Sequence, residues 1–153
     1  DIPMDDELQT LIQRRQAEAR AEIVGRQDGK PQASELRRRR GMYSQLLSMR
    51  LRGPLAAFAN QWNGTLRNIG RLEVTIDSKD DLLRYEMNYE RLRGGGRCRH
   101  AQFIFRALET GKVAVTSAFD GIISSRETVP LDDLTPAAIQ TELEAFLKAA
   151  LAD

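Results

Sequence analysis

The 153-residue sequence has one cysteine, one histidine and one tryptophan, and no apolar run near the ~18 residues of a membrane span. Each scarcity removes something. The lone cysteine, Cys98, makes no intramolecular disulfide and fits a reducing, cytoplasmic compartment. His100 and Cys98 alone cannot fill a tetrahedral zinc site, and no carboxylate stands at ligand-like spacing to them, so no metal site and no cofactor is expected. No heptad array, internal repeat or low-complexity segment is visible.

What remains is a chain that should fold. Hydrophobic content of 41% and charged content of 29% are globular values, and the length suits one domain with a core of its own. The net charge of +1 hides an uneven distribution. Between Lys30 and Arg71 nine basic residues face one acid, Glu35; from Ala101 to Asp153 eight acids face four bases. A basic surface of this kind meets something acidic: a polyanion, a partner protein or the chain's own acidic end.

The spacing of apolar residues divides the chain. Residues 1–32 read as a helix with Asp5 or Asp6 as N-cap, followed by the glycine and proline loop GRQDGKPQ at 25–32. Met4, Leu8, Leu11, Ile12, Ala19 and Ile23 form a thin stripe that Arg15 interrupts. So narrow a stripe seldom holds a helix alone, which marks this segment as a dimerisation or docking extension. Residues 33–153 read as a single α+β domain.

That domain opens with a second helix, with Ser34 as N-cap. At about 100° per residue, Arg37, Arg38, Arg39 and Arg40 circle this helix, so they do not form one flat reading face. Tyr43, Leu46, Leu47 and Leu51, joined by Met42 and Met49, span about 200° of its circumference, twice the ~100° stripe of an ordinary surface helix. One side is expected to meet the chain's own sheet, and Met42, Leu46 and Met49 are candidates for an interface with another copy. A further helix carries Leu55, Phe58, Trp62, Leu66 and Ile69, with Pro54 as a kink or fresh start and Gly70 as C-cap.

From Arg71 the period falls to two. Leu72, Val74 and Ile76, then Leu83, Tyr85, Met87 and Tyr89, then Ala101, Phe103, Phe105 and Ala107, then Val113, Val115, Ser117 and Phe119 each line one face of a strand. Short connections make these a four-stranded antiparallel meander, with a short fifth strand around Ile122 and Ile123 as an option. The chain closes in a helix capped by Thr135 with Pro136 at its first position, and Ile139, Leu143, Phe146, Leu147, Ala150 and Leu151 as the stripe that covers the sheet. The fold class is α+β: N-terminal helices, a four-stranded antiparallel meander and a C-terminal helix packed on it.

Chemistry-bearing patterns are few. Cys98 and His100 are two residues apart in an expected strand, hence on one outward face, and a thiolate beside imidazole would be a nucleophile. No third group is placed to orient them, so they are candidates only for a cysteine-dependent enzyme. RGGGR at 93–97 lies between two strands rather than before a helix, which makes it a hairpin turn instead of a phosphate cradle. The acidic pairs Asp80 with Asp81 and Asp132 with Asp133 sit where aspartate favours turns.

The basic stretch stands above background. Arg37, Arg38, Arg39, Arg40, Arg50, Arg52, Arg67 and Arg71 are the candidates for contact with a polyanion or an acidic partner, although Tyr43 and Trp62 belong to the apolar stripe rather than to a stacking surface. The reading is a non-enzymatic interaction or assembly module, homo-oligomeric through its N-terminal helices. An acidic protein partner is the expected target of the basic stretch. The alternative is an accessory nucleic-acid-binding protein using residues 37–71.

Overall fold

The computed structural model describes residues 6–79 and 82–153; side chains are described for all of these except 21–32. Asp5 as a cap, Met4 and Ile23 in the first stripe, and the Asp80 and Asp81 pair lie outside the described residues. The elements are α1 (Asp6–Leu66), β1 (Gly70–Lys79), β2 (Leu82–Arg91), β3 (His100–Ala107), β4 (Lys112–Phe119), β5 (Ile122–Pro130), a 3-10 turn (Leu131–Asp133) and α2 (Pro136–Leu151). The chain divides into two compact units, Asp1–Arg38 and Arg39–Asp153.

The fold class is α+β, and some expectations about its elements are corrected. The backbone is helical at residues 25–32 and at Ser34, where a loop and an N-cap were expected, and it runs on through Pro54, where a kink or a fresh start was expected. A proline inside a helix keeps a helical φ but loses a hydrogen bond and crowds the preceding turn, a cost of about 3 kcal/mol. At Pro54 that cost is offset by burial, because Leu51 and Leu55 on either side are both fully inaccessible to water. The helix ends on Arg67 rather than Gly70: Arg67 takes φ 49° and its N–H reaches Asn63 O at 3.0 Å.

The sheet has five strands in the order β1-β2-β3-β4-β5, all antiparallel, instead of four. The signal for the fifth is Asp120-Gly121. Both take positive φ, 51° and 82°, as a two-residue hairpin turn requires, and Asp-Gly is the pair that does so at low cost. β5 then runs nine residues with almost every side chain exposed, so it lacks the apolar alternation that would have revealed it.

One face of the sheet is apolar and carries the core. Tyr85, Met87, Tyr89, Ala101, Phe103, Phe105, Ala107, Val113 and Val115 lie there as expected, with Leu47, Leu51, Leu55 and Phe58 of α1 and Ile139, Leu143 and Phe146 of α2. Phe146 stacks on Phe103 with ring centroids 5.3 Å apart. Ile69, Ile76 and Leu151 leave the expected stripes: they are 52%, 45% and 41% exposed.

Polar bonds fix where residues 39–66 of α1 lie on this face. The Tyr85 hydroxyl donates to Ser48 Oγ, and Arg52 Nε donates to the Tyr85 hydroxyl. Asn63 clasps Leu72 from both sides: its Nδ2 donates to Leu72 O at 2.9 Å, and its Oδ1 accepts from Leu72 N at 2.7 Å. Gly70 permits the close approach that follows, because a Cβ there would meet the Tyr89 ring at 2.5 Å.

Asn63→Ala leaves both backbone groups of Leu72 without their partner. A loss of about 1–3 kcal/mol in urea unfolding is expected. Gly70→Ala should destabilise through the Tyr89 clash, and pairing it with Tyr89→Leu should recover part of that loss.

Candidate functional site

At least six of the eight arginines of the basic stretch are engaged by acceptors of their own chain. In the first unit Arg38 holds the Glu35 carboxylate with two bonds, 3.0 and 2.8 Å, and Arg37 is exposed. In the second unit Arg40 pairs with Glu109 at 2.9 Å, which holds that carboxyl below its ordinary range. Arg50 reaches Asp132 and Leu134 O at 3.3 and 3.2 Å. Arg52 donates to Tyr85, Arg67 to Gly64 O, and Arg71 to Glu73. Two of these pairs, Arg40 with Glu109 and Arg50 with Asp132, join the basic stretch to the chain's own acidic end. Charge asymmetry in the sequence could not distinguish this internal use from an external partner.

Met42, Leu46 and Met49 are solvent-facing, at 49%, 40% and 80% exposure. They stand on the side of the helix opposite Leu47, Leu51 and Leu55, which are buried. The wide apolar sector therefore has one side on the sheet and one side open. In the first unit Leu8, Leu11 and Ile12 are likewise about half exposed, beside Arg15, whose guanidinium pairs with Glu18 at 2.9 Å. A surface pair of this kind contributes about 0–1 kcal/mol and exchanges readily.

Cys98 is buried, contrary to the outward position expected for it, and it precedes β3 rather than lying within it. Its Sγ donates to Ala150 O in the last turn of α2 at 3.2 Å, while His100 is exposed. The two side chains share no face. Burial, followed by the Asp120 carboxylate, pushes the thiol above its ordinary range, the opposite of an activated nucleophile. Asp120 instead serves the backbone, accepting from Arg99 N at 2.8 Å and His100 N at 2.9 Å; these bonds hold its carboxyl below the ordinary range.

The RGGGR turn is likewise tied inward. Arg91 Nη1 donates to Gly96 O, Arg93 N to Ile69 O, and Arg97 N to Ala152 O, so these groups are not aimed at an anion. Gly94 and Gly96 carry the positive φ values, 87° and 138°, that the turn needs. Among the described residues no group of three or more His, Cys, Asp or Glu side chains could hold a metal ion, and no helix is long and apolar enough to cross a membrane.

No family model, curated protein or solved structure matches the chain. Its function is therefore argued from the surface.

Among the described residues the outer face of the sheet is mostly polar and exposes no Phe, Tyr or Trp ring for stacking. Registers place Arg71 opposite Glu90 and Glu90 opposite His100 in one row, with Glu73, Asn88 and Gln102 in the next. Arg84 pairs with Glu86 at 2.7 Å on the same face. A concavity over these rows is lined by both charge signs, with Arg71 beside Glu73 and Glu90.

Two measurements check the corner around Cys98. Native protein should react slowly with a thiol reagent even at pH 8, and rapidly once unfolded, because the thiol is buried and protonated. For Asp120 the folded value lies below the unfolded one, so its contribution is present above the ordinary carboxyl range and is lost as pH falls through the folded value. Asp120→Asn should thus lower the melting temperature at pH 7, and the difference from wild type should vanish in strong acid.

Proposed function

We propose that this chain is a non-enzymatic interaction and assembly module that self-associates through α1. The observation that supports this is the open apolar side of the helix: Met49 at 80% exposure with Met42 and Leu46 beside it, and Leu8, Leu11 and Ile12 in the first unit. Moving one such side chain fully out of water is worth about 1.5–3 kcal/mol, so a few together are enough to drive association. Methionine is enriched at interfaces and adapts its shape to a partner.

The nucleic-acid reading has less support. At least six of the eight candidate arginines already donate to acceptors within the chain. Phosphate binding would have to break or share those bonds.

Light scattering at micromolar concentration should give more than the mass of one chain. Leu46→Glu combined with Met49→Glu should reduce that mass while leaving the melting temperature within a few degrees, since both positions are exposed. A single-chain mass for the wild type would refute self-association. In parallel, a short duplex at ~50 mM salt should not bind, because each phosphate contact would make itself visible as strong salt dependence. Salt-sensitive binding lost in Arg37→Glu with Arg38→Glu would favour the nucleic-acid reading instead.

A further inference from the structure

Resting on that self-association reading, we infer that the apolar groove between the end of α1 and the end of α2 receives the N-terminal helical segment, residues 7–15, of a second copy. The groove, about 400 Å³, is walled by Trp62, Leu66 and Ile69 on one side and by Leu147 and Leu151 on the other. Ile69 and Leu151 are 52% and 41% exposed, large apolar side chains left open by the core beneath them. Glu144 and Lys148 of α2 stand at its rim.

The segment matches this groove in both spacing and charge. On α2, Glu144, Leu147 and Leu151 are separated by three and then four residues. Read backwards from Arg15, the first unit offers Arg15, Ile12 and Leu8 at the same separations, all on one side of a helix. An antiparallel segment at the same ~1.5 Å rise per residue would therefore set Arg15 against Glu144, Ile12 against Leu147 and Leu8 against Leu151. Leu11 then faces the α1 wall. An amphipathic helix with anchors at i, i+3 and i+4 laid in an apolar groove is a recurrent mode of recognition. A parallel segment would lose this match, because placing Arg15 on Glu144 carries Leu8, Leu11 and Ile12 away from Leu147 and Leu151.

Segment and groove are different surfaces, so the contact is heterologous, and each copy carries one of each. That gives a complementation test with the full chain. Leu11→Glu with Ile12→Glu removes the segment's anchors; Ile69→Glu with Leu151→Glu closes the groove. All four positions are exposed, and circular dichroism melting of each variant should confirm that the fold is kept.

If these surfaces hold the assembly together, each variant alone should lose self-association through this contact, and an equimolar mixture should recover a one-to-one heterodimer, read by native mass spectrometry with one variant isotope-labelled. A second pair of variants reads the charge match: Arg15→Glu and Glu144→Arg should each weaken association, and the chain carrying both should regain it. An oligomeric wild type with no heterodimer in the mixture and no recovery by charge exchange overturns this contact while leaving self-association standing. A monomeric wild type overturns both.

Discussion

An antiparallel sheet that is apolar on one face only must have that face covered, and the second unit is organised by this demand. Residues 39–66 of α1 and the whole of α2 supply the cover. Leu47, Leu51, Leu55 and Phe58 from one helix and Ile139 and Leu143 from the other are almost entirely removed from water. Hydrophobic burial gives the attraction but no exact address, since it is non-directional. The address comes from a few polar bonds within or beside the core: Tyr85 with Ser48 and Arg52, and Asn63 with both backbone groups of Leu72. Remove them and the helix keeps its reason to stay while losing its reason to stay in one place.

The parts of the fold governed by periodicity were legible in the sequence. Four strands with the right inward residues, and α2 with Thr135 accepting from Ala138 N and Pro136 at its first position, follow from alternation and capping. The parts governed by long-range burial were not. Pro54 reads locally as a kink or a fresh start, yet the helix runs on through it between two buried leucines. β5 is exposed along almost all of its length and has no alternation, so Ile122, Ile123 and the Asp-Gly turn before them are its local signs. Cys98 seemed to share a face with His100 because the strand was expected to begin two residues too early.

The candidate functional surface was legible in part. The open side of α1 follows from the helical wheel, as Met42, Leu46 and Met49 show. The fate of the arginines does not. Whether Arg40 meets phosphate or Glu109 depends on a turn 69 residues away, which no local pattern contains. Part of the basic charge serves cohesion within the chain, as Arg40 with Glu109 and Arg50 with Asp132 show.

The meander order carries a consequence for how the chain folds. Every strand pairs with its neighbour in sequence, so the sheet can grow hairpin by hairpin, each closure short and fast. The helix that covers it comes first in the chain and has to wait: Ser48 and its partner Tyr85 are 37 residues apart. On a ribosome, the apolar stripe of α1 would leave the exit tunnel before β2 and β3 exist to receive it. Throughout that interval the nascent chain presents two greasy helix faces instead of one, making this the stage of its life at which a chaperone has the most to hold.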